Sequence, residues 1–177
     1  MWAIRHRSFA PSLQVTTCAP RVLVTPVWQP ARMASWNDVL TAAPELAQTV
    51  QERFAGRKHH TMATLRQDGS PRISGTEVEF ADGQVVLGSM PGALKAKDLQ
   101  RDPRVALHSQ GEDPPETSPS DWSGEAKISG TASETPHEDH HRFEIDVTEI
   151  VFTKVEGDEL VVRWWTPASG VQVVRRK

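Results

Sequence analysis

The chain has 177 residues, of which 37% are hydrophobic and 24% charged, and its formal charge is −3. That length allows one domain burying roughly 70% of its unfolded surface, and the composition is that of an ordinary globular protein. No apolar run approaches the ~20 residues of a membrane helix, and the single cysteine, Cys18, excludes an internal disulfide and fits a reducing, cytoplasmic location.

Charge divides unevenly along the chain. Residues 1–32 contain Arg5, Arg7, Arg21 and Arg32 and no acid, a charge of +4, whereas residues 33–177 hold 16 basic and 23 acidic residues, a charge of −7. A net-acidic main domain argues against nucleic-acid binding. The first segment also carries Pro11, Pro20, Pro26 and Pro30 without sustained periodicity. It is expected to be a disordered extension; its basic, acid-free composition also suits a transit peptide, and Met33 offers an alternative start. The folded domain is expected to span 33–177.

From Ser35 the pattern becomes helical. Ser35 or Asn37 can cap a helix whose apolar positions Val39, Leu40, Ala43, Leu46, Ala47, Val50 and Phe54 recur at three and four, and Gly56 ends it. Strand candidates follow. His60–Arg66 precedes the turn Gln67-Asp68-Gly69, and Pro71–Phe80 precedes Ala81-Asp82-Gly83. Gln84–Ser89 then leads into a short helix carrying Lys95 and Lys97, which Asp102-Pro103 stops before a strand over Arg104–Ser109.

Residues 110–121 are rich in Pro, Ser and acid and read as an exposed loop. Glu125–Glu134 alternates, with Ala126, Ile128, Gly130 and Ala132 on one face. Phe143–Val155 and Glu159–Thr166 flank the turn Glu156-Gly157-Asp158, and a last strand is expected over Val171–Val174. Some seven strands at this spacing point to a closed or nearly closed antiparallel barrel.

Gly88–Val105 carries the most chemistry. Glycines after a strand let a ligand approach the backbone, and lysines with free N–H groups at a helix start attract phosphate. The run reads as a seat for a phosphorylated cofactor. A second motif, His137-Glu138-Asp139-His140-His141, matches the His-Glu-x-x-His pattern of zinc hydrolases. Pro136 precedes it and its surroundings are polar, so a solvated turn is expected there and no metal site.

Thr61–Val105 resembles the pyridoxamine 5′-phosphate oxidase-like split β-barrel family, which includes flavin- and deazaflavin-dependent oxidoreductases. The likeness is carried by Ala63-Thr64-Leu65-Arg66-Gln67-Asp68-Gly69-Ser70-Pro71-Arg72, by Asp82-Gly83, and by Lys95-Ala96-Lys97-Asp98-Leu99 with Arg101-Asp102-Pro103-Arg104-Val105. It implies a mainly β fold with a few helices, a Greek-key-type antiparallel split barrel. It further implies a homodimer with FMN in each groove between the barrels and no nucleic-acid or membrane partner.

The resemblance places cofactor contacts at Arg72, Ile73, Ser74, Gly75 and Thr76, at Gly88 and Ser89, and at Lys95. The family's turn, Gly-Ser-Arg-Lys, here reads Gly92-Ala93-Leu94-Lys95, so Arg72 or Lys97 would replace the arginine lost at Leu94. Trp122, Trp164 and Trp165 are candidate walls for the ring, and Glu125 stands near its edge. Glu77 occupies a position where the oxidase itself carries lysine, and the tail Arg163-Trp164-Trp165-Thr166-Pro167 lacks the Arg-x-His that grips pyridoxal phosphate. The implied function is FMN-dependent hydride transfer to or from a small substrate. The alternatives are a reductase using the deazaflavin coenzyme F-420, and a non-catalytic flavin- or haem-binding module. No catalytic residue is assigned.

Overall fold

Helix formation begins at Ser35. Its hydroxyl accepts from the Asp38 backbone N–H while the Asp38 carboxylate accepts from the Ser35 N–H, a reciprocal cap on the first turn. The computed structural model describes residues 33–177; Cys18 and the expected extension lie outside the described residues. The single expected helix is two, α1 (Trp36–Ala42) and α2 (Pro44–Ala55). Pro44 pushes the residue before it out of helical geometry, and Ala43 sits at φ −146°, ψ 60°.

Nine strands and a third helix follow: β1 (His60–Leu65), β2 (Pro71–Thr76), β3 (Val78–Ala81), β4 (Gln84–Ser89), α3 (Leu94–Arg101), β5 (Arg104–His108), β6 (Glu125–Thr135), β7 (His141–Glu156), β8 (Glu159–Thr166) and β9 (Gly170–Arg176). All pairings are antiparallel, in the order β2-β1-β5-β6-β7-β4-β3, with β8 on β7 and β9 on β8. The expected strand Pro71–Phe80 is broken at Glu77, because its two halves serve different partners. Thr76 still pairs with His60 on β1, whereas Val78 pairs with Leu87 on β4. The two ends of the sheet are therefore consecutive in sequence, and the sheet curls round to meet itself.

Strand β7 forks the sheet. Residues Arg142–Thr153 pair with β6 along one edge; on the other, His141–Ile145 pair with β4 and Ile150–Glu156 with β8. Strand β9 ends this branch with no strand on its far side among the described residues. The result is a split β-barrel, mainly antiparallel sheet with three helices.

The inner face collects Met62, Val105, Leu107, Phe143, Ile145 and Ile150, all buried, together with the expected face of β6, Ala126, Ile128 and Ala132. Helix α2 lays Leu46, Ala47, Val50 and Phe54 onto this core. An aromatic cluster fastens the helices to the sheet: Trp36 lies 4.7 Å from Phe80, and Phe54 lies 6.2 Å from Phe80 and 4.9 Å from His60, between ring centroids. The hairpin between β3 and β4 turns through Asp82 and Gly83, both at positive φ, as a two-residue turn requires.

A β-bulge at Ser129/Gly130 kinks β6 against β7. There a β-carbon on Gly130 would lie 2.4 Å from the Asp146 carbonyl oxygen and 2.6 Å from Ile145 Cγ2. Gly130→Ala is therefore expected to destabilise the fold by roughly 1–3 kcal/mol, the range for overpacking a tight interior. Urea unfolding of the two proteins measures it, and equal midpoints would show that the bulge relaxes freely.

Candidate functional site

Where β2 gives way to β3, the end of α2, strand β4, the turn before α3 and the turn before β7 converge on a cleft of about 900 Å³. Five of the nine sequence-predicted cofactor residues line it: Gly75, Thr76, Gly88, Ser89 and Lys95. Lys95 stands in the first turn of α3, and its Nζ donates to the Gly75 carbonyl at 2.7 Å. Burial pushes its pKa below the ordinary lysine value, and the nearby Glu77 carboxylate only partly offsets that. Glu77 is itself paired with Lys58 at 3.4 Å. Among the described residues no carboxylate forms an ion pair with Lys95. Ser89 is buried, and its hydroxyl has no hydrogen-bond partner.

The other four predicted residues are not brought into the cleft. Arg72 turns inward, and its Nε donates to Asp98 Oδ2 at 2.5 Å. Asp98 is buried and accepts also from Thr64 Oγ1 at 2.9 Å and Arg101 at 3.3 Å. Burial pushes the Asp98 carboxyl up, but the hydrogen bonds from Arg72, Thr64 and Arg101 outweigh it and the net shift is downward. Arg72 is thus committed to holding α3 on β2. Ile73 alternates to the outer face and is 69% exposed. Ser74 is half-buried beside Arg72 on the inner side, and Lys97 projects into solvent.

Trp122, Trp164, Trp165 and Glu125 do not line the cleft either. Trp122 donates from Nε1 to the Glu112 carbonyl, Trp165 is buried in the core, and Trp164 lies on the opposite face of β8. Glu125 is held by Lys127 at 2.7 Å and His108 at 3.0 Å. Burial raises its pKa, but these two partners more than reverse the effect.

Several cleft residues went unseen in the sequence. Arg57, Lys58 and His59 come from the chain leaving α2, and His137, His140 and Arg142 from the far end of β6–β7. The last group is brought in by strand pairing, since Gly88 sits opposite Arg142 and Ser89 opposite His141. Arg57 is paired with Glu112 at 2.6 Å; Arg142 bonds Glu144 and, at 2.9 Å, Thr135 Oγ1. The His137–His141 run forms the turn entering β7, which starts at His141 rather than at the expected Phe143. His141 staples two turns together: Nδ1 lies 2.6 Å from Glu134 Oε1, and Nε2 accepts from the Gly92 N–H at 3.4 Å.

Behind the cleft wall, His60 is buried against Phe54. Its Nδ1 accepts from the Gln110 N–H at 3.2 Å, while Nε2 has no partner. Burial pushes its pKa below the ordinary histidine value.

A model of the pyridoxamine 5′-phosphate oxidase family matches residues 46–154, more than half of the chain. Among solved structures, Campylobacter jejuni ChuZ is similar at 10% identity and a TM-score of 0.58, over 74% of this chain and 63% of its own. A pyridoxamine 5′-phosphate oxidase-related, FMN-binding protein from Nostoc punctiforme is similar at 9% identity and a TM-score of 0.54, over 76% and 96%. PhzG from Burkholderia lata, solved in complex with tetrahydrophenazine-1-carboxylic acid, is similar at 10% identity and a TM-score of 0.56, over 78% and 91%. No curated protein matches the chain. At these identities the structures speak for the fold.

Asp98→Asn is expected to cost roughly 2–4 kcal/mol in urea unfolding, because it leaves Arg72, whose side chain is only 21% exposed, without its counter-charge. Acid should weaken the fold in two stages. His60 and Asp98 both have folded pKa values below their ordinary 6.5 and 3.8, so the unfolded chain binds more protons and stability drops as pH falls through those ranges. Thermal midpoints should fall between pH 7 and 5, less so in His60→Gln, and fall again below pH ~4, less so in Asp98→Asn. Parallel wild-type and variant curves would remove these two groups from the account.

Proposed function

The chain belongs to the pyridoxamine 5′-phosphate oxidase family, and from that premise we propose that it is a homodimeric FMN-binding oxidoreductase acting on a small planar substrate. Lys95 is the observation that carries this reading. It is a half-buried ammonium without an ion-pair partner among the described residues, placed at the margin of a 900 Å³ cleft in a net-acidic domain. A phosphate is the natural counter-charge for such a group. The rest of the lining fits the same ligand. Ser89 offers a buried hydroxyl still lacking a partner, and Gly75 and Gly88 leave strand backbone open to the cleft.

Arg72 is engaged with Asp98 and Leu94 is 59% exposed, so the phosphate would rest on Lys95 rather than on a Lys–Arg pair. When bound, the flavin supplies two-electron hydride chemistry. The chain's own residues anchor the phosphate at Lys95, orient the ring against β2 and β4, and shield it with the turn before β7. The similar Nostoc protein binds FMN, and the similar PhzG was solved with a fused-ring carboxylic acid; both support this choice of cofactor and substrate shape. The missing Arg-x-His and the presence of Glu77 argue against vitamin-salvage oxidase activity.

The homodimer is supported by the outer sheet face. Register places Ile73 and Gly75, Thr61 and Ala63, Ala106, Val151, and Val162 and Trp164 on that face, from five strands. Ile73 is 69% exposed there, and none of the three helices covers it. Near its centre the Glu125 carboxylate is engaged by Lys127 and His108. A small-residue, apolar surface of this breadth suits a second copy of the chain.

Lys95→Ala should weaken FMN binding by about 1–3 kcal/mol, the worth of a charge-assisted hydrogen bond, while riboflavin, which lacks the phosphate, should bind both proteins alike. Quenching of flavin fluorescence reads both. Equal FMN affinity would remove Lys95 from the phosphate site, and uptake of coenzyme F-420 or haem in place of FMN would overturn the cofactor. Ile73→Glu with Trp164→Glu should convert the dimer to a monomer by light scattering; an unchanged mass would place the interface elsewhere.

A further inference from the structure

The cleft holds one cluster that phosphate anchoring leaves unused, the imidazoles of His137 and His140. Their ring centroids lie 3.6 Å apart with planes inclined at 35°, and both rings line the cleft. The Asp139 N–H donates to His137 Nδ1 at 3.3 Å, so the neutral ring carries its hydrogen on Nε2. The Cδ2–Nε2 edge of His140 overlies Gly88, where a β-carbon would lie 3.8 Å from Cδ2 and 3.9 Å from Nε2. The next residue is Ser89, more than nine-tenths buried, whose hydroxyl has no partner.

Most of the surrounding charges are already engaged. Glu134 is bonded to His141 and Gln100, and Arg142 to Glu144 and Thr135. From the chain after α2, Arg57 pairs with Glu112 and Lys58 with Glu77; His59 and Glu79 also line the cleft, and Lys95 stands on α3. Among the described residues, neither Glu138 nor Asp139 forms an ion pair with either stacked ring. The two imidazoles therefore line the cleft without an ion-pair partner among the described residues, although Glu134, Glu138 and Asp139 border the hollow on their other side.

We propose that His137 and His140 form a second anion subsite, which takes the carboxylate of the molecule that meets the cofactor; its role rests on the flavin reading of the cleft. Two imidazoles this close repel when both are protonated, and an anion at their shared edge relieves that repulsion. Two N–H edges also match the two oxygens of a carboxylate. An imidazolium N–H is a charge-assisted donor to a carboxylate, so a protonated ring binds the anion more tightly than a neutral one. Lysines would hold it at every physiological pH.

Histidine C2–H proton NMR on the full chain tests this, with nicotinate as a planar carboxylate probe, before and after FMN loading. Nicotinate should raise the titration midpoints of two histidines and bind at least about fivefold more tightly at pH 6 than at pH 8. His137→Asn and His140→Asn should each abolish that difference. Failure of nicotinate to bind, equal affinity at the two pH values, or equal binding by wild type and both variants would overturn the subsite. Nicotinate binding with the expected profile to a chain that takes up no FMN would support the subsite and remove the cofactor reading instead.

Discussion

A single buried carboxylate sets the geometry on which the cleft depends. Asp98 accepts from Thr64 on β1, Arg72 on β2 and Arg101 on its own helix, so α3 cannot slide along the sheet without leaving a charge unpaired in the interior. Lys95 lies one turn earlier on that helix, and the clamp brings its ammonium to the carbonyl of Gly75. Packing thus holds at the cleft a lysine that, among the described residues, forms no ion pair. Arg72, a phosphate candidate by sequence, is paired with Asp98 and so helps to fix the helix that carries the lysine.

The second determinant is strand β7. Because β7 exceeds the length of any single partner on its open edge, β4 and β8 divide that edge between them. The β4 half carries Gly88 and Ser89 up to Arg142 and the turn before β7. His141 then ties this turn to Gly92, just ahead of α3. The cationic turn and the histidine turn, nearly fifty residues apart in sequence, are joined by one imidazole. Cleft geometry follows from register as much as from any motif.

Much of the fold was legible in the sequence, because the forces behind it are local. The Ser35 cap, the apolar positions of α2, the Asp82-Gly83 turn and the buried face of β6 all depend on neighbours within a few residues. The break at Glu77 was not legible, since nothing in Pro71–Phe80 says that its halves pair with opposite ends of the sheet. The break at Ala43 was legible in principle, from the restriction that Pro44 places on the residue before it. Within the site, Gly75, Thr76, Gly88, Ser89 and Lys95, named from the motif, line the cleft. Arg72 does not line it, because it pairs with Asp98, 26 residues away, and the histidine turn was set aside because its setting argued against a metal-binding helix and suggested nothing else.

The rim of β9, unpaired among the described residues, bears on how such a chain survives in a crowded solution. A strand with free backbone groups invites another molecule to lengthen the sheet, and Val171 and Val173, 45% and 51% exposed, would make that growth stickier. The same strand ends in Arg175, Arg176 and Lys177, with Arg175 bridging Glu156 and Glu159. A parallel, in-register stack of such strands would bring these cations into mutual repulsion, which opposes growth of the sheet in that direction.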